Sequence, residues 1–238
     1  MSPHNRVTTL PFSGRHLEAR VVTAVRDLPL TGRVIVVNLD TTPAYLDRLP
    51  RTPIPAFSST IAVDSTLAHA GAVALLRGLD EQPVAGITDE PGWQHFTDIA
   101  GPDVFPRTTP LYRSAQADVG TVRFDPHVTL GVTHPGSRLR DFTVRLMLWY
   151  APPDTGCGIH NRHDFIETHA QIIGNGRMQK FADREPGSLY EDVLMSPGYA
   201  TPVPFCGIGP DTTFTYPWHQ YHADTDCVWL AVEYHLAD

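Results

Sequence analysis

The stretch GIHNRHDFIETHAQIIGNG, residues 158–176, decides the fold of this chain. Successive side chains of a β-strand point to opposite faces, so an extended conformation sorts these residues into two sets. One set holds His163, Phe165, Glu167, His169 and Gln171, and the other holds Asp164, Ile166, Thr168, Ala170 and Ile172. The first face is polar in its middle. Such a face either meets solvent or, where a sheet closes on itself, lines a polar interior.

The residues around this stretch predict further strands. Residues 141–150, DFTVRLMLWY, alternate Phe142, Val144, Leu146 and Leu148 on one face with Arg145, Met147 and Trp149 on the other. Residues 176–181, GRMQKF, and 226–236, DCVWLAVEYHL, also read as strands separated by turn-rich segments. The C-terminal half, residues 116–238, is therefore predicted to be mainly β and to close into a small barrel whose mouth holds one ligand.

The N-terminal half, residues 1–115, is predicted to be an α+β region. Residues 20–40 contain two β-branched runs that read as strands. Residues 65–80, rich in Ala and Leu behind a capping serine, are the one good helical candidate. Short strands are expected at 83–90, 119–125 and 127–134, and a loop-like segment at 101–110 precedes the boundary.

Composition narrows the classes of function. Eighteen Lys and Arg against 26 Asp and Glu give a formal net charge of −8, and no segment gathers the basic residues into a stripe, which disfavours nucleic acid as a partner. No apolar run approaches the roughly 20 residues of a membrane helix, and the first residues lack the apolar core of a secretion signal, so we expect a cytoplasmic protein. Cys157, Cys206 and Cys227 lack metal-site spacing and predict packed thiols. Nucleotide-binding and serine-hydrolase motifs are absent from the sequence.

The spacing within residues 158–176 resembles the first metal-binding motif of the cupins, G-x5-H-x-H-x(3,4)-E-x6-G. His163, Glu167 and Gly174 match the second histidine, the glutamate and the closing glycine. The position of the family's first histidine holds Asn161, whereas His160 lies one residue earlier. Either a bulge turns His160 into the barrel, or Asn161 leaves the site one ligand short.

Two later segments resemble the second cupin motif, G-x5-P-x-G-x2-H-x3-N. Residues 192–198, DVLMSPG, match its opening, and residues 218–233 match its histidine and closing strand. A loop of roughly 20 residues separates them, and we interpret it as a lid over the binding mouth. His219 takes the place of the motif's histidine, and His222, three residues on, is the competing candidate.

The resemblance implies a cupin barrel, a double-stranded β-helix or jelly roll, that binds a divalent transition metal such as Fe, Mn, Ni, Cu or Zn. The ligands it implies are His160, His163, Glu167 and His219. It also implies a homodimer, and it makes the N-terminal half a candidate for a degenerate second cupin without metal. Among cupins, those of the aldos-2-ulose dehydratase type are the first branch to compare.

Other residues near the motif are assigned further roles. His169 and Gln171 follow Glu167 on the same face and are predicted to be catalytic, with a purely internal hydrogen-bonding role as the alternative. The predicted substrate contacts are Arg145, Trp149, Phe165 and Tyr199. Tyr190 and Tyr216 are further candidates for the rim of the site, while His95 and His127 are assigned to ordinary packing or surface roles.

Three classes of function follow from such a site. The first is an isomerase or dehydratase that moves a proton on a small oxygenated substrate, sugar-like or ketone-like. The second is a dioxygenase that uses Fe(II), Ni or Cu with O₂. The third is a metal or small-molecule sensor without turnover. Polar groups beside the metal favour the first class, and an apolar pocket around Phe165 and Trp149 favours the second.

Overall fold

A computed structural model of the chain describes residues 4–79, 83–133, 136–201 and 203–237. The first strands are β1 (Arg6–Thr9), β2 (Leu17–Asn38), β3 (Ala44–Leu46), β4 (Pro53–Ile54), β5 (Ser59–Gly78), β6 (Gln94–His95), β7 (Tyr112–Arg113) and β8 (Ala117–Phe124). The later strands are β9 (Arg140–Ala151), β10 (Thr155–Gly156), β11 (Ile166–Ile173), β12 (Gly176–Phe181), β13 (Leu189–Met195), β14 (Gly207–Ile208), β15 (Phe214–Thr215), β16 (Trp218–Ala223) and β17 (Cys227–Leu236). Helices are short: α1 (Phe96–Ala100), α2 (Pro126–Thr129) and the 3₁₀-helices Val84–Asp89 and Pro186–Ser188. The mainly β fold class predicted from the sequence is confirmed.

Two long strands build the N-terminal half. β2 and β5 pair antiparallel along their length, from Leu17 opposite Gly78 to Val37 opposite Ser59. Residues 35–38 of β2 also pair with residues 73–76 of β5, so both strands bend and the sheet folds back on itself. The folded sheet holds an apolar cluster of its own. Among the members of this cluster are Val22, Val25, Leu30, Val34, Val36, Leu67, Val73 and Leu75.

Two facing antiparallel sheets form the C-terminal half. One has the strand order β11-β17-β9-β7-β6, with β8 also paired to β9, and the other has the order β10-β16-β12-β13. The two sheets pack face to face. The ring of Tyr221 in β16 stacks on the ring of Trp229 in β17, and the ring centroids lie 3.8 Å apart. Together they make a flattened barrel of the jelly-roll type.

The sheet that contains β11 is buried on both of its faces. Its outer face packs against β2 and β5 in one continuous apolar core. That core includes Leu17, Val21, Ile35 and Leu76 of the N-terminal half, with Leu146, Leu148, Ile166, Ile172, Leu230 and Val232 of the C-terminal half. Burial of each such side chain contributes about 1.5–3 kcal/mol. Because this outer face is covered, the polar face of β11 lies inside the barrel and does not meet solvent.

Three predicted elements of the chain are wrong. Residues 65–78 of the helix predicted at 65–80 belong to β5, since pairing with β2, and at residues 67–69 also with β3, overrides the helix propensity of Ala and Leu; residue 80 lies outside the described residues. Residues 84–89 form a 3₁₀-helix instead of a strand. Residues 126–129 form α2, because the carboxylate of Asp125 caps it by accepting hydrogen bonds from the amides of His127 and Val128; residue 134 of that predicted strand is not described.

The N-terminal segment also contributes strands to the C-terminal barrel. β6 pairs with β7, and Tyr112 and Arg113 of β7 pair with Tyr150 and Trp149 of β9. Helical structure in the described part of residues 1–115 is limited to α1 and the 3₁₀-helix Val84–Asp89. No helix in the described ranges has the length and apolar character that crossing a membrane requires. The division at residue 115 stays a prediction.

Candidate metal centre

Three imidazole rings converge at one end of the barrel. The Nε2 atom of His163 lies 3.1 Å from Nε2 of His160 and 3.2 Å from Nε2 of His219. One nitrogen from each of the three rings lies within 4.8 Å of the other two. Metal–nitrogen bonds of about 2.1 Å place two ligand nitrogens about 3.0 Å apart at right angles and about 3.4 Å apart at tetrahedral angles. The observed spacing is therefore that of three ligands on one divalent ion.

Backbone pairing explains how residues far apart in the chain meet. His160 and His219 form an isolated antiparallel bridge, so their side chains leave the backbone on the same side. In β16, His219 alternates with Tyr221 and Ala223 on the buried face. His222 falls on the opposite face, with Nε2 3.9 Å from Asp224 Oδ1. Strand alternation thus brings His219, and not His222, to the other two rings.

The hydrogen bonds of the Nδ1 atoms show which nitrogen of each ring is free to bind a cation. Nδ1 of His160 lies 2.9 Å from the Gly158 carbonyl, and Nδ1 of His219 lies 2.9 Å from the Pro217 carbonyl. A carbonyl only accepts, so each Nδ1 carries the proton and each Nε2 of a neutral ring presents a lone pair. His163 Nε2 can donate to only one of these two lone pairs. A metal ion satisfies all three nitrogens at once, so the residues present fit the group.

Burial keeps two of these rings neutral. The His219 side chain is 1% exposed, and burial, followed by the charge of His160, lowers its pKa to about 3. Burial also lowers the pKa of His163, against the opposing charge of Glu167. Neutral imidazole is the form that binds a metal. His160 is exposed, so the centre opens towards solvent on its side.

Glu167 and His169 form a buried pair beside the triad. Glu167 Oε1 lies 3.0 Å from His169 Nε2, and Glu167 Oε2 lies 3.9 Å from His163 Nε2. Glu167 lies outside the group of three nitrogens that all approach one another within 4.8 Å, so its role as a fourth ligand stays a prediction. Burial alone would raise the pKa of Glu167, but the charge and hydrogen bond of His169 and the charges of the other histidines outweigh it and hold this pKa well below its usual range.

The loop that precedes β16 covers the centre, as expected of a lid. The Tyr216 hydroxyl accepts from the Glu167 amide at 2.9 Å and donates to the Phe165 carbonyl at 2.8 Å. The Tyr216 ring lies 4.7 Å from the His163 ring, and the Phe205 ring lies 4.9 Å from the His219 ring. Tyr216, predicted at the rim, is therefore buried and bonded to the chain that carries the ligands.

Other predicted site residues surround the centre in different ways. His160, one of the two alternatives that the sequence left open, belongs to the cluster of ligand atoms. Gln171 is fully buried and its amide is engaged, with Nε2 donating to the carbonyls of Ile173 and Gly174 and Oε1 accepting from the Tyr221 hydroxyl. These contacts match the alternative prediction for Gln171, namely that its side chain forms hydrogen bonds inside the barrel. A catalytic role for Gln171 stays a prediction.

The predicted substrate contacts are dispersed. Phe165 packs on the His163 ring at 5.0 Å. Arg145 Nε lies 3.2 Å from Asp118 Oδ1 at the barrel edge, and Trp149 stacks beside Trp229 at 6.3 Å. The backbone carbonyl of Tyr199 accepts a hydrogen bond from the backbone amide of Gln171. Their contact with a substrate stays a prediction.

The remaining candidates lie away from the three rings. Tyr190 is 60% exposed on β13. His95 is buried and caps α1 by accepting from the Thr97 amide, and His127 is buried beside Asp125. The two histidines thus occupy packed positions, as expected.

Two polar pairs near the centre were missed from the sequence. Glu233 lies directly opposite Glu167 in the sheet, is 9% exposed and contacts His235 Nε2 at 2.7 Å. Lys180 lies opposite His219, with its Nζ 2.5 Å from Glu191 Oε1. Glu233 alternates with Ala231 and Trp229 along β17, so the period of two could have assigned it to the barrel interior.

Fold and site together define a jelly-roll protein with three histidines placed where they could hold a metal ion. No family model matches the sequence, and no curated protein does either. Similar solved structures include an RmlC-like cupin of Desulfovibrio desulfuricans (TM-score 0.28, 11% identity, 38% of this chain and 71% of that chain). A second is the Escherichia coli ribosomal oxygenase YcfD, with a TM-score of 0.29 and 19% identity over 39% of this chain and 24% of that chain. A third is a mutant of the Bacillus subtilis oxalate decarboxylase OxdC, with a TM-score of 0.32 and 10% identity over 100% of this chain and 74% of that chain. This chain thus spans about a quarter of the ribosomal oxygenase, and the centre described above is defined by its own residues.

Proposed function

We propose that this protein is a metal-dependent enzyme that moves a proton on a small oxygenated substrate, sugar-like or ketone-like, in an isomerase or dehydratase reaction. The observation that carries the proposal is the position of the His169–Glu167 pair directly beside the histidine triad. A proton acceptor next to a metal-binding group is the combination that such reactions need.

The histidine triad with Glu167 would hold the ion. Imidazole nitrogens with one carboxylate suit Fe(II), Mn, Ni, Cu or Zn and leave coordination positions for a substrate. When bound, the ion supplies polarisation of a carbonyl or hydroxyl oxygen. The exposed side of His160 is the direction from which a substrate would approach.

His169 is suited to accept the proton. In the neutral ring, Nε2 donates to Glu167 Oε1, which leaves the lone pair on Nδ1. Nδ1 is buried and has no hydrogen-bond partner in the described chain. A buried acceptor without a partner carries a desolvation cost that a substrate proton would relieve. The carboxylate of Glu167 would then stabilise the imidazolium that forms, as the acid does in an acid–histidine pair.

A dioxygenase is the second candidate, and the aromatic surroundings of the triad favour it. The rings of Phe165, Phe205 and Tyr216 lie 4.7–5.0 Å from the rings of His163 and His219. Apolar walls of this kind limit the access of water to a metal and its substrate.

Turnover by an untagged protein tests both candidates. Metal content is measured first, and aldoses, ketoses, diketones and flavonols are then assayed for isomerisation, dehydration and oxygen uptake. We expect proton transfer without oxygen uptake, and we expect His169→Gln to lower kcat by about 100-fold or more while metal is retained. His222→Gln, on the outer face of β16, is the control and should keep full activity. Oxygen consumption coupled to substrate would establish the dioxygenase instead, and stoichiometric metal without turnover on any substrate would leave a sensor.

A further inference from the structure

A cavity lies between the two halves of the molecule, and none of its lining residues belongs to the histidine triad. A cavity of about 560 Å³ opens there between β2, β5 and the end of β11. The described residues that line it are His16, Gly32, Arg33, Ile35, Leu76, Arg77, Gly78, Leu79, Val84, Ile172, Ile173, Gly174 and Pro197. Cavities of about 300–1,000 Å³ accept small organic molecules.

The charge of this cavity is opposite to that of the protein. The chain carries 18 basic against 26 acidic residues, yet Arg33 and Arg77 are the charged side chains among the described lining residues, apart from the titratable His16. Arg33 is exposed and forms no ion pair within the part of the chain that the structure describes. A cationic pair of this kind attracts an anion to one end of the cavity.

Arg77 is anchored but not neutralised. Its Nη2 donates to the Thr31 carbonyl, and its Nη1 lies 3.8 Å from Glu18 Oε2, at the limit of an ion pair. Its Nε is buried and has no hydrogen-bond partner in the described chain. These contacts anchor the guanidinium, and its two terminal nitrogens keep N–H groups that can donate to a ligand.

His16 adds a buried polar atom to the cavity wall. The side chain is 3% exposed, and its Nδ1 lies 2.5 Å from Glu90 Oε1, which also accepts from the backbone amides of Arg15 and His16. The opposite ring atom, Nε2, has no partner in the described chain. A Cβ added to Gly86 would lie 3.0 Å from this Nε2, so glycine is the residue that fits closely against that edge of the ring.

The rest of the wall is apolar. Ile35 and Leu76 come from the N-terminal half, and Ile172 and Ile173 come from the end of β11. Burial of an apolar ligand surface against such side chains contributes roughly 25 cal/mol per Å². Apolar walls with a cationic end match a molecule that has an apolar body and one acidic group.

We infer that this cavity binds a small organic anion with an apolar body, its acidic group held by Arg33 and Arg77. The site is independent of the metal centre, since none of the lining residues is a predicted ligand. The inference can therefore be tested independently of the proposed enzymatic function.

Two fluorescent probes with nearly the same body test the inference. 8-Anilinonaphthalene-1-sulfonate carries one negative charge, and N-phenyl-1-naphthylamine is its neutral counterpart. We expect the sulfonate to bind the full chain with 1:1 stoichiometry and to bind more tightly than the neutral amine. Arg33→Gln and Arg77→Gln should each weaken sulfonate binding about fivefold and leave amine binding unchanged. Arg26→Gln, an exposed arginine of β2 that lies outside the cavity, is the matched control and should change neither affinity.

A third variant locates the probe without altering charge. The Cβ of a residue replacing Gly78 would lie 3.6 Å from Ile173 Cδ1, an ordinary contact, so Gly78→Phe should fill the cavity without disturbing β5. We expect it to abolish sulfonate binding while the circular dichroism spectrum stays that of the wild type. The inference is overturned if the sulfonate fails to bind, if Gly78→Phe binds it normally, or if both probes bind equally and neither arginine variant weakens the sulfonate.

Discussion

His160 and His219 exchange two backbone hydrogen bonds. The His160 amide donates to the His219 carbonyl at 3.0 Å, and the His219 amide donates to the His160 carbonyl at 2.8 Å. A pair that exchanges both bonds holds its side chains on the same side of the sheet, and here the ring centroids lie 4.4 Å apart. Two of the three histidines are thus held in place by the backbone before a metal arrives. Such preorganisation lowers the entropy lost on binding.

Removal of any one of the three rings is expected to abolish metal retention. His160→Ala, His163→Ala and His219→Ala each delete one of the converging nitrogens. The loss in affinity should exceed the roughly 10- to 100-fold that follows when a residue merely orienting a ligand is changed. Metal content after dialysis, measured by plasma mass spectrometry, checks this. His222→Ala and His95→Ala are controls and should retain the metal of the wild type.

Metal retention by His160→Ala and Asn161→Ala distinguishes the two alternatives that the sequence left open for this ligand position. If His160→Ala retains its metal and Asn161→Ala loses it, the ligand set described here is wrong at that position. The barrel should stay folded in every variant, because the apolar core between the two halves is untouched.

Tyr216→Phe is expected to destabilise the lid. The hydroxyl links the Glu167 amide and the Phe165 carbonyl, and its loss removes the hydrogen bonds of one buried and one partly buried backbone group. Removal of one partner from a buried hydrogen bond costs about 1–3 kcal/mol. Urea denaturation of the metal-free protein measures the change in the free energy of unfolding. Tyr190→Phe, at a 60% exposed position, is the matched control, and a similar effect in both variants would contradict the assigned role of Tyr216.

Cys206 is expected to react slowly with iodoacetamide in the native protein. Burial raises the pKa of this thiol to about 11, and only the thiolate reacts. At pH 8 its thiolate fraction is then about a hundredfold below that of an ordinary thiol, and labelling should quicken about tenfold per pH unit up to pH 10. Peptide-resolved mass spectrometry follows the rate, with urea-unfolded protein as the control. Equal rates at pH 8 in the native and unfolded states would contradict the burial of Cys206.

Strands with a clear period of two were predictable from the sequence. In β9 the apolar alternation predicted which residues face the core, and the strand predicted at residues 226–236 is present as β17. The segment 65–78 was not predictable in this way, because Ala and Leu favour a helix locally and only pairing with β2 makes it a strand. Local propensity loses to this pairing because β5 is bonded to β2 along its whole length.

The spacing of the site predicted part of its geometry. His163 and His219 converge as the two motifs imply. The role of His160 depends on its bridge to His219, a contact across 59 positions of the chain that no local spacing encodes. The buried position of the β11 polar face likewise depends on the N-terminal half, which covers the opposite face of the sheet.

Gly174→Ala is expected to destabilise the turn between β11 and β12. Gly174 has φ of +73°, and a Cβ there would lie 2.0 Å from the Asp226 carbonyl oxygen. The turn packs against residues 224–226, where the Asn175 carbonyl accepts from the amides of Asp224 and Thr225. Left-handed strain and displacement of this backbone together should cost about 2–4 kcal/mol of unfolding free energy. Urea denaturation measures it, with Gly187→Ala as the control, because a Cβ at Gly187 meets no atom within 4 Å and should change stability by less than about 0.5 kcal/mol. If both variants unfold at the same urea concentration as the wild type, the turn does not require the closing glycine. The match of Gly174 to the cupin motif then carries no structural meaning.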